Sequence, residues 1–406
     1  MMRRILATVC AAMGLCGMIA PSAGFADSAP VTVPELSVYR RDIPSNEALQ
    51  FVQKMKIGWN LGNTFDATRD NYKGDEMSIE SYWCGVKTSE AMIQSVKDAG
   101  FNTIRMPVSW HNHVDADFNI SEKWLSRVQE VVDYAISRDM YVILNTHHDV
   151  SVQYYYPNNE NMEVSSRYIS KIWAQVAERF RDYDEHLIFE SLNEPRLVGT
   201  EYEWNFDANV PEYLESLECI NQLNQLFVDT VRASGGSNAE RYLMVPSYAA
   251  TAAGALSAAF RLPEDRADNR IIVSVHAYTP YTFALQEGGI DTFAAKVGSR
   301  QSNEIVMFMN GLYDRYITNG TPVVIGEFGA RDKNRNTQAR VDFASYYIAL
   351  ASARGITCCW WDNNGFTGNG ELFGLLMRQT VTWPYPEIVE GMMKYAGYES
   401  LPVWEG

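Results

Sequence analysis

The sequence predicts a (β/α)8 barrel that forms one catalytic domain. Three observations lead there. Eight short apolar runs recur between residues 57 and 361, separated by polar segments and amphipathic stretches of helical period. Strands that alternate with helices make a parallel sheet, and eight such units are the number that closes it into a barrel. No Pro/Thr/Ser-rich linker and no low-complexity block interrupts residues 50–400. An open doubly wound sheet is the alternative, but no G-x-G-x-x-G follows the first run.

Residues 1–26 have the pattern of an export signal. Arg3 and Arg4 precede the uncharged stretch Ile5 to Ala20, and the small residues around Ala23 and Ala26 offer a cleavage site before Asp27. That stretch is shorter than the roughly 20 residues a membrane-spanning helix needs. The expected location is therefore extracellular or periplasmic. Residues 27–48 read as an extended leader, and 49–406 as the barrel domain. The expected strands are Ile57–Asn60, Thr103–Met106, Tyr141–Asn145, Leu187–Asn193, Tyr242–Val245, Ile271–His276, Val323–Glu327 and Ile356–Trp361. Between them, Ser89 caps a helix carrying Met92, Ile93 and Val96, and Gly100 ends it. Ile169, Ile172, Trp173, Val176 and Ala177 follow the 3.6 period, as do Leu223, Phe227 and Val231.

Composition narrows the partners. Asp and Glu number 50 against 34 Lys and Arg, a formal charge of −16 that argues against nucleic-acid and anionic-membrane surfaces. Loss of the signal would remove two arginines and no acids, leaving −18. It would also remove Cys10 and Cys16. Cys84, Cys219, Cys358 and Cys359 are expected to be buried, unreactive thiols, since a chain of this size needs no disulfide framework.

In such a barrel chemistry collects at the C-terminal ends of the strands. Polar residues end six of the runs: Arg105; Asn145, His147, His148 and Asp149; Asn193 and Glu194; His276 and Tyr278; Glu327; and Asp362. Glu194 and Glu327 stand at matching ends of the fourth and seventh runs. Paired carboxyls on facing positions suit glycoside hydrolysis. One protonates the leaving oxygen and needs a raised pKa; the other attacks, or activates water, and must be ionised. Arg105 is expected to hold the ionised partner, with Tyr278 and His276 as hydrogen-bond donors and Asn193 meeting a sugar hydroxyl.

No metal or other cofactor is expected. His147 and His148 are adjacent and should point to opposite sides of a strand, total His is six, and no H-E-x-x-H or G-x-S-x-G occurs. A metal-dependent barrel hydrolase and a catalytically silent glycan-binding barrel remain the rivals from other classes.

Seven motifs in order carry a resemblance to a known family. They are Gly58-Trp59-Asn60-Leu61-Gly62-Asn63-Thr64-Phe65-Asp66, Ile104-Arg105-Met106-Pro107-Val108-Ser109-Trp110, Asn145-Thr146-His147-His148, Asn193-Glu194-Pro195, His276-Ala277-Tyr278, Glu327-Phe328-Gly329 and Trp361-Asp362-Asn363. The sequence resembles glycoside hydrolase family 5, and residues 193–204 look most like its subfamily four of endoglucanases, lichenases and xyloglucanases. The resemblance implies Glu194 as acid/base and Glu327 as the nucleophile of a retaining enzyme. It implies that Arg105 and Tyr278 position Glu327, that Asn193 meets the 2-hydroxyl, and that His147 and His276 complete the sugar-contacting shell. Trp361 would be a stacking floor, and His148, Asn63 and Asp66 substrate contacts.

Aromatic residues make up 12% of the chain. Trp110, Tyr154, Tyr155, Tyr156, Trp204, Phe206, Tyr281 and Phe366 fall in loops after strands, where they would pack on the apolar faces of sugars, whereas Trp59, Trp124 and Trp173 follow core patterns. The expected protein is an exported, monomeric endo-β-1,4-glucanase acting on a polysaccharide, with β-mannanase or xylanase as the nearest alternative.

Overall fold

Short apolar runs, several of them rich in β-branched residues, become the staves of the molecule. The computed structural model describes residues 30–296 and 298–401, and the expected signal at 1–26 lies outside them. The strands are β1 (Ile57–Leu61), β2 (Thr103–Met106), β3 (Tyr141–Asn145), β4 (Leu187–Glu190), β5 (Leu243–Thr251), β6 (Ile271–His276), β7 (Val323–Phe328) and β8 (Thr357–Asp362). All are parallel, and they close in chain order, with β8 returning to β1. The (β/α)8 barrel expected from the alternating runs is what the chain forms.

Register does the functional work. Across the closed sheet Asn60 pairs with both Arg105 and Trp361, Asn145 with Glu190, and His276 with Glu327. These pairings bring the polar residues of six different strands into one layer at the C-terminal rim. The same end of a barrel gathers the chemistry of most enzymes with this fold.

Helices cover the outside. They are α1 (Glu47–Lys54), α2 (Glu90–Asp98), α3 (Glu122–Ile136), α4 (Met162–Arg179), α5 (Pro211–Ala233), the short α6 (Ala252–Leu256) and α7 (Tyr281–Ala284), α8 (Arg300–Arg315), α9 (Thr337–Ser352) and α10 (Pro386–Tyr395). Ser89 caps α2 by accepting from the Met92 amide. Trp59, Trp124 and Trp173 are fully buried, and no described helix is long and apolar enough to cross a membrane.

Three features depart from the sequence reading. The chain expected to be extended up to residue 48 already turns into α1 at Glu47, where Asn46 accepts from the Ala48 and Leu49 amides. This helix closes the base of the barrel, its Phe51 stacked on Tyr242 with ring centroids 3.7 Å apart, above Tyr141, Met244 and Ile272. The extended part of the leader is held by backbone contacts; the Leu36 amide donates to the Tyr395 hydroxyl and the Arg41 amide to the Ala353 carbonyl. Secondly, β4 stops at Glu190, so Asn193 and Glu194 lie on the loop beyond it. Thirdly, β5 runs six residues past its expected end through a kink after Pro246. Ala249 and Ala250 there adopt left-handed φ values of 48° and 49°. The Ala249 amide donates to the Pro195 carbonyl at 2.8 Å, tying the kink to the loop that bears Glu194.

Cys84, Cys219, Cys358 and Cys359 are free and buried. Burial pushes the Cys359 thiol up to about 12 and that of Cys219 to about 11, which suppresses their thiolates at neutral pH.

Phe51→Ala is expected to cost about 3–5 kcal/mol, since it opens a cavity where the barrel floor is sealed. Urea unfolding followed by tryptophan fluorescence measures this, and an unchanged midpoint would contradict the sealing role of α1.

Candidate active site

The Arg105 guanidinium, from β2, is fully buried at the centre of the layer. An unpaired cation there would be prohibitively costly, so the site is built to satisfy it. Nε donates to Glu190 Oε2 at 2.7 Å and Nη1 to Glu327 Oε1 at 2.8 Å. Nη1 also reaches Asn60 Oδ1 at 3.0 Å, and Nη2 donates to Asn193 Oδ1 at 2.7 Å. Burial pulls the arginine pKa down, but Glu190 and Glu327 together hold it above its ordinary value. Gly326 makes this proximity possible: a Cβ there would come within 3.1 Å of His276 Nε2 and 3.3 Å of Arg105 Nε.

Glu327, on β7, is 5% exposed, and both its oxygens have donors: Arg105 on Oε1 and the Tyr278 hydroxyl on Oε2 at 2.8 Å. Burial and then the charge of Glu327 push the Tyr278 phenol well above its usual range, so it remains a donor.

Glu194 is held differently. Its Oε1 lies 2.9 Å from His276 Nδ1, and its Oε2 lies 3.6 Å from Arg196 Nη1. Burial alone would raise its pKa; the His276 hydrogen bond and charge, then Arg196 and His148, outweigh that and bring it down to about 2. The raised pKa expected of a proton donor is therefore absent in the resting site.

The remaining groups line one open cleft of about 1710 Å³. His147 and Trp361 face each other with near-parallel rings 5.8 Å apart. A Cβ on Gly62 would strike the Trp361 ring at 2.8 Å, so a glycine there lets the indole lie flat over β1. Trp360 points outward into the helical layer against Phe328, and its Nε1 donates to the Phe373 carbonyl. His148 and Asn63 lie at the cleft edge, and Trp204, Phe206, Tyr281 and Phe366 stand along its walls. Arg196 stacks on the Trp204 ring at 4.1 Å.

Trp110 and Asp66 fall elsewhere. Trp110 is fully buried, its Nε1 donating to the Asn145 carbonyl, and it does not line the cleft. Asp66 is also fully buried and accepts the Asn63 and Thr64 amides, so it shapes the loop after β1 from beneath. Of the tyrosine run, Tyr155 is buried and Tyr156 donates to the Val198 carbonyl; both pin loops. Position after a strand does not separate a rim-pinning aromatic from a cleft-lining one.

Two sets of donors converge, Asp66–His147–His148 and Glu194–His276–Glu327. The first corrects the expectation that His147 and His148 diverge: both lie beyond the end of β3, and their rings are 4.3 Å apart. In each set hydrogen bonds already engage some of these atoms. The Asn145 amide nitrogen donates to His147 Nδ1 at 3.1 Å while its oxygen accepts from Val108, which leaves the imidazole proton on Nε2. Glu327 has both oxygens occupied by donors.

The sequence reading assigned no role to Glu190, Asn60 and Ser274, all fully buried beneath the cleft, or to Trp83, which is 41% exposed within it. Only Asn60 carries a signal of position, at the end of an apolar run; Glu190 falls inside the run 187–193.

A closed (β/α)8 barrel with two unlike carboxyls facing each other in an aromatic cleft defines a glycoside hydrolase. The sequence matches Cellulase (glycosyl hydrolase family 5) over residues 65–367, and the chain belongs to that family. It is 40% identical over 393 residues to Endoglucanase A of Clostridium longisporum, covering 95% of this chain and 72% of that protein. In structure it is similar to a GH5 family lichenase from Caldicellulosiruptor sp. F32 (TM-score 0.88, 57% identity, 90% of this chain and 100% of that one). It is also similar to a GH5-4 broad specificity endoglucanase from Ruminococcus champanellensis with bound cellotriose (TM-score 0.80, 43% identity, 88% and 100%).

Arg105→Met is expected to lower stability by about 3–5 kcal/mol, because it strands Glu190 without its counter-charge in the barrel core. Denaturant unfolding tests this, and a variant as stable as the parent would refute it.

Proposed function

We propose that the protein is an endo-acting β-1,4-glucanase that cleaves β-glucan chains of cellulose, mixed-linkage or xyloglucan type with retention of anomeric configuration. The observation that carries this is the carboxyl pair: one oxygen of Glu194 and one of Glu327 approach within 4.8 Å, in keeping with the roughly 5–5.5 Å of retaining rather than inverting pairs.

Each group then has a task. Glu327, oriented by Arg105 and Tyr278, attacks the anomeric carbon as the bond to the leaving oxygen breaks. Glu194 gives that oxygen its proton. A water molecule then enters, loses a proton to Glu194 and displaces Glu327, releasing the sugar with its original configuration. Arg105 occupies the Asn193 oxygen, which turns the Asn193 amide nitrogen toward the cleft as a donor for the 2-hydroxyl. His147, with its proton on Nε2, offers a second donor, and Trp361 supplies a floor for the sugar ring. Both reaction steps are completed by these side chains, so no cofactor is invoked.

Endo action is supported by the shape of the site. The cleft is open, and Trp83 and Trp204 stand exposed on different loops, positions that suit consecutive sugars of a long chain. A neutral polymer is indifferent to the acidic surface. The signal pattern at residues 1–26 supports export to meet such a polymer outside the cytoplasm, and action as a monomer is part of the same reading.

Glu327→Ala is expected to lose about 10⁴-fold or more of its turnover on barley β-glucan while still binding cellotetraose in calorimetry. Full activity of this variant would end the proposal. Glu194→Ala is expected to lose about 10²–10⁴-fold on glucan but little on a dinitrophenyl cellooligosaccharide, whose leaving group needs no proton. Reducing-end release from glucan, xyloglucan, mannan and xylan discriminates the substrates; preference for mannan or xylan would redirect the assignment.

A further inference from the structure

Beneath the two carboxyls assigned to the reaction lies a third that the reaction leaves unused. Glu190 is fully buried four residues before Glu194. Its Oε2 accepts from Arg105 Nε at 2.7 Å and Asn145 Nδ2 at 3.1 Å, and its Oε1 from the Ser274 hydroxyl at 2.5 Å. Every such partner is a donor, which is the environment of an ionised, acceptor-only carboxylate. Oε1 also faces His276 Nε2 at 4.0 Å. That nitrogen is buried and has no hydrogen-bond partner, while Nδ1 of the same ring contacts Glu194.

The position of the ring proton decides what the pair can deliver. With one proton, on Nδ1, the imidazole donates to an ionised Glu194 and turns a lone pair toward the Glu190 carboxylate. With a proton on Nε2 the N–H meets that negative charge instead, and a second proton occupies the 2.9 Å contact between Nδ1 and Glu194 Oε1. We infer that Glu190 is a positioning residue: its fixed charge holds a proton on His276 Nε2 and thereby keeps the Glu194–His276 pair loaded with the second proton that catalysis consumes. This rests on Glu194 being the proton donor. The loaded proton passes through Glu194 to the leaving oxygen, and the water of the second step returns one to Glu194.

The other charged and titratable groups facing the pair are Arg105 from β2, His147 and His148 beyond β3, Arg196 on the loop after β4, Tyr278 beyond β6, Glu327 from β7 and Glu371 on the loop after β8. Glu327 Oε1 lies 3.6 Å from the ring on its Nδ1 side, whereas Glu190 Oε1 faces Nε2 at 4.0 Å. Arg105, the nearby cation, already engages Glu190 through Oε2.

The test is the pH profile of Glu190→Gln on glucan and on a dinitrophenyl cellooligosaccharide. Loss of the charge should empty the pair at lower pH, moving the basic limb on glucan down by about one pH unit, as expected for an opposite charge removed from 4–6 Å. The loss should be greatest above the optimum and much smaller on the aryl substrate. A limb that stays in place, with turnover depressed equally on both substrates, would overturn the inference. Ser274→Ala gives a second reading should Glu190→Gln fail to fold: it removes the hydroxyl that partly neutralises Oε1, so the basic limb should move up. A limb unmoved or moved down there would overturn it as well. The donor role of Glu194 is judged separately, by whether the aryl substrate rescues Glu194→Ala.

Discussion

A single buried guanidinium organises the catalytic end of this barrel. Arg105 cannot be dehydrated without counter-charges, and it receives two, from strands on opposite sides of the ring. Because its nitrogens form a planar fork, the same contacts that neutralise it also fix direction. One edge orients Glu327, another orients Asn193, and a third locks onto Glu190, whose other oxygen looks at His276. Replacing this hub by a lysine would keep the charge and lose the geometry. The two carboxyls proposed for the chemistry differ because only one of them, Glu327, touches the hub. Glu194 sits on the loop past β4 and answers to His276 and Arg196 instead.

The barrel supplies what the hub needs. The Asn60–Arg105, Asn145–Glu190 and His276–Glu327 pairings place most of these donors and acceptors in register, and the loops after β4 and β6 add Asn193 and Tyr278. Loops can then vary above a rigid layer and carry the aromatic surfaces. The strained backbone at Ala249 and Ala250 is the exception, where β5 bends to hold the loop of Glu194 through Pro195. Left-handed alanines are unfavourable by roughly 1–2 kcal/mol per residue, a cost found where the position of a neighbouring group matters.

The order of strands, the barrel and the ring of polar residues were legible in the sequence because period and position encode them. Glu194, Glu327, Arg105, Asn193, His147, His276 and Tyr278 lie at or just beyond the ends of apolar runs, and the structure gathers them into one site. What was not legible depends on through-space neighbours. Nothing in the run around residue 190 distinguishes a buried glutamate beneath the site from an ordinary strand residue until Arg105 is seen beside it. Trp110 and Asp66 have the sequence positions of cleft residues but turn inward to complete the loops beneath it. His147 and His148 converge because β3 has already ended, a boundary that apolar patterning locates only to within a few residues. The low pKa of Glu194 likewise comes from a histidine 82 positions away in sequence.

The central claim is that Glu327 becomes covalently bonded to the sugar. Incubation with a 2-deoxy-2-fluoro cellooligosaccharyl fluoride tests it most directly: fluoride leaves as the carboxylate attacks, and the electron-poor sugar slows the second step, so the adduct accumulates. Peptide mass spectrometry should find the label on Glu327 and on no other residue. A label on Glu194, or complete turnover of the reagent with inverted product and no adduct, would contradict the account.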